Sequence, residues 1–155
     1  MSAPLFDLAA HASEAEIRAA IVLEARSWLR TPYHHLGRIR GVGVDCAMLL
    51  AEVYESVGLI PHLDPEYVPD WHLHRDAERY LQQVEQYCGR VGVPQAGDIA
   101  VWKFGRTFSH GAIVVAPGQV IHAYRNRPVE LASMTEQHLA ARPCVYYSWW
   151  ARNGR

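Results

Sequence analysis

The run Gly41-Val42-Gly43-Val44-Asp45-Cys46 puts a thiol where a glycine-containing loop gives way to an apolar helix pattern. A helix N-terminus carries partial positive charge and unpaired N–H groups. It therefore lowers a cysteine's pKa and can donate to an oxyanion. A thiol there is a candidate nucleophile, and it needs a base. Two histidines stand in strand-like context: His110 in His110-Gly111-Ala112-Ile113-Val114-Val115, and His122 in Val120-Ile121-His122-Ala123-Tyr124. A thiolate–imidazolium pair keeps sulfur ionised near neutral pH, and a third polar group orients the base. Taken singly, Cys46 fits a core cysteine as well as a nucleophile, and each histidine fits a structural role. The combination is what points to chemistry.

The histidines can cooperate only if the hairpin between them has the right register. A two-residue Pro117-Gly118 loop pairs Ala116 with Gln119, sets Ile113 opposite His122, and places the two rings on opposite faces. A three-residue loop pairs Val115 with Gln119 and sets Ala112 opposite His122. The rings then become diagonal neighbours on one face, with Cβ atoms less than about 7–8 Å apart. Gly118 takes the left-handed position of that loop. The catalytic reading thus requires a loop or bulge that restores the shared face.

Other reactive side chains carry less. Cys88 and Cys144 have no comparable setting and are expected to pack. Three cysteines without close spacing support neither a disulfide framework nor a CxxC metal site. Among nine histidines, His34-His35 and His72-x-His74 are the clusters that could hold a metal. Neither has a cysteine or carboxylate partner at finger-like spacing, so no metal and no cofactor are expected. Arg38, Arg40, Arg106, Arg125 and Arg127 fall in expected loops. A guanidinium fork there matches a substrate carboxylate if the loop reaches Cys46.

The elements that must position these residues divide the chain in two. Ser13-Glu14-Ala15-Glu16 is a capping box, and Ile17, Ile21, Ala25 and Trp28 follow at helical spacing until Thr31-Pro32. A second helix is expected over 46–57, with Asp45 as N-cap, Gly58 just past its end, and Cys46, Leu49, Leu50, Val53 and Val57 as its stripe. A Pro-rich aromatic segment from Pro61 to Trp71 precedes a third helix over 76–88. Strands are expected at 99–104, 111–116, 120–124, 129–131 and 145–150, with a short helix over 136–142 before the last. Helices first and strands afterwards give an α+β fold, N-terminal helices packed on an antiparallel meander. Residues 1–155 are expected to form one domain, with 1–12 loosely ordered.

Half of the 155 residues are hydrophobic, with five Trp and eight Tyr, which is enough for a core. The net charge of −1 argues against nucleic-acid binding through a bulk basic surface. The start, Met1-Ser2-Ala3-Pro4-Leu5-Phe6-Asp7, has neither a basic n-region nor a long apolar stretch. Synthesis in the cytoplasm without a signal peptide, and no membrane insertion, are expected.

Thr31-Pro32-Tyr33, the glycine-rich loop and Asp45-Cys46 at a helix start resemble the NlpC-type cell-wall peptidases, which are papain-like cysteine peptidases. Pro94-Gln95-Ala96-Gly97-Asp98-Ile99, Ser109-His110-Gly111-Ala112-Ile113 and Ile121-His122-Ala123 resemble them too, in the family's order, over about residues 15–150. The resemblance implies Cys46 as nucleophile, His110 as base and His122 as the group orienting it. It also implies Tyr33, Asp45 and Arg125 as residues shaping the oxyanion and substrate contacts. The implied substrate is the peptide stem of bacterial peptidoglycan. The family's Ser-Gly after Asp-Cys is here Ala47-Met48, and the bulkier Met48 is expected to reshape the pocket. Trp71-His72-Leu73-His74, Glu78-Arg79-Tyr80-Leu81 and Gly105-Arg106 look like the compact peptidases of phage tails and gene transfer agents. That likeness implies tail hub or tip proteins as partners and a place at the tail tip, opening the cell wall for DNA delivery. Two alternatives share the scaffold: an inactive structural component of a tail tip, and a cytoplasmic thiol amidase or acyltransferase.

Overall fold

The capping box closes as its residues require: Ser13 Oγ accepts from the Glu16 N–H at 3.1 Å, and the Glu16 carboxylate accepts from the Ser13 N–H at 3.2 Å. It opens α2 (Glu14–Ser27). The structure is a computed structural model and describes residues 8–63 and 78–154. Ahead of α2 a single turn, α1 (Leu8–His11), forms inside the segment expected to be loose, closed by the Ala12 N–H on Leu8 O at 2.8 Å. The long loop before Cys46 folds into a small hairpin, β1 (Arg38–Ile39) and β2 (Gly43–Val44). Then comes α3 (Cys46–Ser56), with Gly58 at φ +80° past its end. Of the third expected helix, Arg79–Glu85 is helical (α4). Its expected start at 76, most of Pro61–Trp71, and Trp71–His74 lie outside the described residues.

The second half is a six-stranded antiparallel sheet in the order β3-β8-β4-β5-β6-β7. Its strands are β3 (Gly89–Val91), β4 (Ile99–Phe104), β5 (Thr107–Ala116), β6 (Gln119–His122), β7 (Glu130–Ser133) and β8 (Cys144–Ser148). From β4 to β7 it is the expected meander. The exception is β8, which returns through α5 (Gln137–Ala140) to pair with the far edge of β4, and with β3, a strand the sequence pattern did not reveal. The expected last strand also stops early. Trp149–Asn153 is helix α6, because two tryptophans carry a strand-like residue type into a turn that packs on β3.

One sheet face takes the helices: Val101, Ile113, Ile121 and Tyr147 pack with Ile17, Ile21, Leu49 and Val53. The other face buries Ala100, Trp102, Ala112, Val114, Val120 and Leu139. Because both faces are covered, the strands are near-continuous apolar runs. The Arg18 guanidinium pins α2 to the sheet. It reaches Asp98 Oδ1 at 2.8 Å and Ala96 O at 2.9 Å, and lies over the Trp150 ring at 4.1 Å.

Candidate active site

Asp45 fixes where the thiol stands. With φ −109° and ψ 179° it caps α3, its Oδ1 accepting from the Met48 N–H at 2.8 Å. Its Oδ2 accepts from the Leu36 N–H at 2.7 Å, which ties the preceding loop to the helix start. Both carboxylate oxygens are thus occupied by backbone donors, and the residue is buried. The expected oxyanion or substrate role gives way to a structural one, since a carboxylate repels an oxyanion and this one is held as a cap. Met48 is likewise corrected: it is wholly buried in the core, whereas Ala47 lines the neighbouring apolar cavity with Leu50, Tyr54 and Tyr80.

Tyr33 is held near the start of α3 by the same loop. The His34 N–H bonds Val44 O, and the Val44 N–H bonds Pro32 O, both at 3.1 Å. A parallel bridge joins Tyr33 to Val44, two residues before Cys46. Burial pushes the Tyr33 phenol up to about 12, helped by negative charge at Cys46 and Asp45 and opposed by Arg125. Tyr33 therefore remains a protonated donor. Arg125, exposed on the loop after β6, is the expected arginine that acts on it. Arg38 instead binds Glu52 and Glu55, Arg40 binds Glu24, and Arg127 binds Glu130.

The hairpin solves the register problem with a bulge. Ala116 pairs with Gln119 across a two-residue Pro117-Gly118 turn, with Gly118 at φ +72°. Val115 is extra: Val114 pairs with Val120 and Ile113 with Ile121. That offset puts His122 across from Ala112, on the face His110 shares. The rings meet, His110 Nε2 to His122 Nδ1 at 2.8 Å, with centroids 5.0 Å apart. Trp102, Phe104 and Tyr124 surround them within 6 Å of the His110 centroid.

A second bulge serves the thiol. Trp102 pairs with His110 and Lys103 with Phe108, so Ser109 is the extra residue of β5 there. Its carbonyl, outside the ladder, accepts the Cys46 thiol at 3.7 Å. Cys46 thus meets β5 at the residue next to His110. The sequence pattern gave no sign of this bulge, nor of Tyr80, whose hydroxyl lies 3.4 Å from Cys46 O.

Burial works against the expected thiolate–imidazolium pair at rest. Burial, then the Asp45 charge, pushes the Cys46 thiol up to about 12; the Gly111 N–H, the Tyr80 hydroxyl and the Ala47 N–H work against this. Burial, then the positive forms of His122, His138 and Arg142, holds His110 well below the usual imidazole range. His122 falls to about 4, again chiefly by burial. For His110 to take the thiol proton at Nδ1, its Nε2–H must donate to His122 Nδ1. The His122 proton then sits on Nε2, which is buried without a hydrogen-bond partner and 4.0 Å from Glu130 Oε1. Among the described residues no three metal-ligating side chains converge; His72 and His74 lie outside them.

The model of the NlpC/P60 family matches residues 30–147. Among solved structures, the NlpC/p60 domain of the peptidoglycan hydrolase SagA is 26% identical, with TM-score 0.59, covering 83% of this chain and 96% of that one. An NlpC/P60 family protein from Bacillus cereus is 22% identical with TM-score 0.58; 83% of this chain aligns, spanning 39% of that one. RipD from Mycobacterium tuberculosis, described as a non-catalytic NlpC/p60 domain protein adapted to peptidoglycan binding, is 16% identical with TM-score 0.54, over 85% of this chain and 96% of its own. No curated protein matches the chain.

Proposed function

The chain belongs to the NlpC/P60 family, and we propose that it is a cysteine peptidase hydrolysing the peptide stems of bacterial peptidoglycan. The observation that carries this reading is the 2.8 Å His110–His122 contact on β5 and β6, beside a thiol at the start of α3. Approach of a peptide carbonyl drives the thiol proton to His110 Nδ1 as the sulfur bonds to carbon. The oxyanion so formed takes hydrogen bonds from the Cys46 N–H and the Tyr33 phenol. His110 returns the proton to the departing amine, leaving a thioester. Water then adds, giving its proton to His110, and the carbon–sulfur bond breaks to free the acid and the thiol. Stem peptides carry free carboxylates, for which exposed Arg125 is a matching cation.

The test is digestion of purified muropeptides followed by mass spectrometry. The wild-type protein is expected to cleave the stem, Cys46→Ala to fall to background, and His110→Ala to lose about 10²–10⁴-fold in rate. Intact stems with wild-type protein would exclude turnover. They would favour a second reading, cell-wall binding without hydrolysis, which the burial that opposes charge on Cys46 and His110 and the likeness to RipD support.

The finer reading is delivery by a phage-like particle, with tail hub or tip proteins as partners and the cell wall as the place of action. What supports it is the likeness of Glu78-Arg79-Tyr80-Leu81 and the Gly105-Arg106 turn to compact tail peptidases. Proteomics of purified particles tests it: peptides of this chain are expected there, and their absence from intact particles overturns it.

A further inference from the structure

The run Glu78-Arg79-Tyr80-Leu81 takes no part in the chemistry above, yet it lies against the residues that do. Glu78 Oε2 accepts from the Phe108 N–H at 3.0 Å, two residues before His110. Tyr80, on the first turn of α4 and only 6% exposed, extends its ring between β5 and α3. Its hydroxyl lies 3.4 Å from the Cys46 carbonyl oxygen. A Cβ at Gly111 would stand 2.3 Å from that hydroxyl and 3.0 Å from Tyr80 Cε1. The phenol therefore fills the space that any side chain at 111 would need, and Gly111 is what lets Tyr80 reach the nucleophile's residue.

We propose that Tyr80 is a positioning residue of the Cys46 site, and that its phenol O–H is the donor the sulfur meets as it loses its proton. The proposal rests on Cys46 being the nucleophile. A hydroxyl carries one rotatable proton, and at 3.4 Å the resting carbonyl contact is long. A thiolate is a stronger acceptor than a neutral carbonyl, so ionisation of Cys46 redirects that proton to sulfur. The Gly111 N–H, the Tyr80 hydroxyl and the Ala47 N–H are already the groups that favour the charged sulfur, against burial and Asp45. Burial first, then charge at Cys46, holds the Tyr80 phenol well above its ordinary value, so it stays a donor at any working pH. The ionisable groups that act on the thiol or are acted on by it are Asp45 at its own helix cap, Tyr33 on the preceding loop and Tyr80 on α4, and His110 follows the Ser109 carbonyl that the thiol meets on β5. Arg125 acts on Tyr33 from beyond them.

Tyr80→Phe removes only the hydroxyl and keeps the ring. The measurement is the rate of Cys46 alkylation by iodoacetamide over pH 6–10, read on the Cys46 peptide by mass spectrometry so that Cys88 and Cys144 do not contribute. The thiolate is the reactive form. Loss of a hydrogen bond to a charged group is expected to move the profile up by about one pH unit. At each pH below the midpoint, alkylation then slows roughly three- to tenfold, allowing for the greater intrinsic reactivity of a less acidic thiolate. Gly111→Ala, which displaces the hydroxyl while keeping Tyr80, is expected to shift the profile the same way. An unmoved or lowered profile in a folded Tyr80→Phe protein, with Gly111→Ala likewise unmoved, overturns the proposal. Alkylation needs no substrate, so a protein that hydrolyses nothing still decides the role of Tyr80.

Discussion

At the scale of single residues, the proposed catalytic order depends on which nitrogen holds which proton. His110 is a base at Nδ1 only while its Nε2–H has an acceptor, and His122 Nδ1 supplies one at 2.8 Å. His122→Ala leaves that N–H buried and unpaired, which costs about 1–3 kcal/mol and frees the ring to turn. His122→Asn offers a carbonyl oxygen in nearly the same place. Steady-state kinetics are expected to show kcat reduced in both with KM little changed, and the Asn variant recovering part of the loss. Equal loss in both would mean that the second imidazole does more than accept. The residue types are legible in the sequence: spacing and resemblance single out Cys46, His110, His122 and Tyr33, and the structure joins the two imidazoles and sets the thiol on the carbonyl of Ser109, next to His110. Asp45 takes the N-cap place expected of it, and it is its added oxyanion or substrate role, like the pocket role of Met48, that fails to follow, because a type does not say which way a side chain faces. Asp45 turns back onto the Met48 and Leu36 N–H groups, and Met48 turns into the core.

At the scale of elements, two irregularities of β5 do what a regular strand could not. An ideal ladder over the Pro117-Gly118 turn would set His122 on the wrong face, and one extra residue, Val115, corrects the parity. Another, Ser109, frees a carbonyl for the thiol. Alternation in the sequence reveals faces but not bulges, because an unpaired residue has no signature of its own. The need for a bulge was deducible, and its place was not. The helical layer depends on a different device, the Arg18–Asp98 pair, with side chains 11% and 2% exposed. Removing one partner of a buried pair strands the other charge. Arg18→Met is expected to lower unfolding free energy by about 3–5 kcal/mol in urea titration. It should also loosen α2 from the turn before β4 that holds Gly97 and Asp98. A loss below 1 kcal/mol would show that the pair is not what anchors the helix.

At the scale of the whole molecule, the buried site couples stability to pH in a defined direction. His110 and His122 titrate below their unfolded value of about 6.5, so the unfolded chain binds more protons once the pH falls under it. Their contribution is complete above about pH 6.5 and is lost as the pH falls towards about 4, where His122 itself titrates. The loss approaches about 1.4 kcal/mol per pH unit for each ring. The thiols shift the opposite way: Cys46 and Cys88 are pushed up to about 12 and Cys144 to about 11. Their contribution is complete below about pH 8.5 and declines as the unfolded thiols ionise above it. Thermal melts are expected to plateau between about pH 6.5 and 8.5, and His122→Asn should flatten the acid limb. An acid limb of unchanged slope in that variant would mean that His122 is not among the groups that must charge. The sequence by itself determined the chemistry available, the α+β division and the meander from β4 to β7, because residue type, period and turn residues act locally. Tertiary structure alone decided the parity of the histidine hairpin, the insertion of β8 between β3 and β4, the burial that opposes charge on the thiol and imidazole, and the arrival of Tyr80 at Cys46. Each of these depends on burial and on contacts between segments far apart in the chain, which no local pattern encodes.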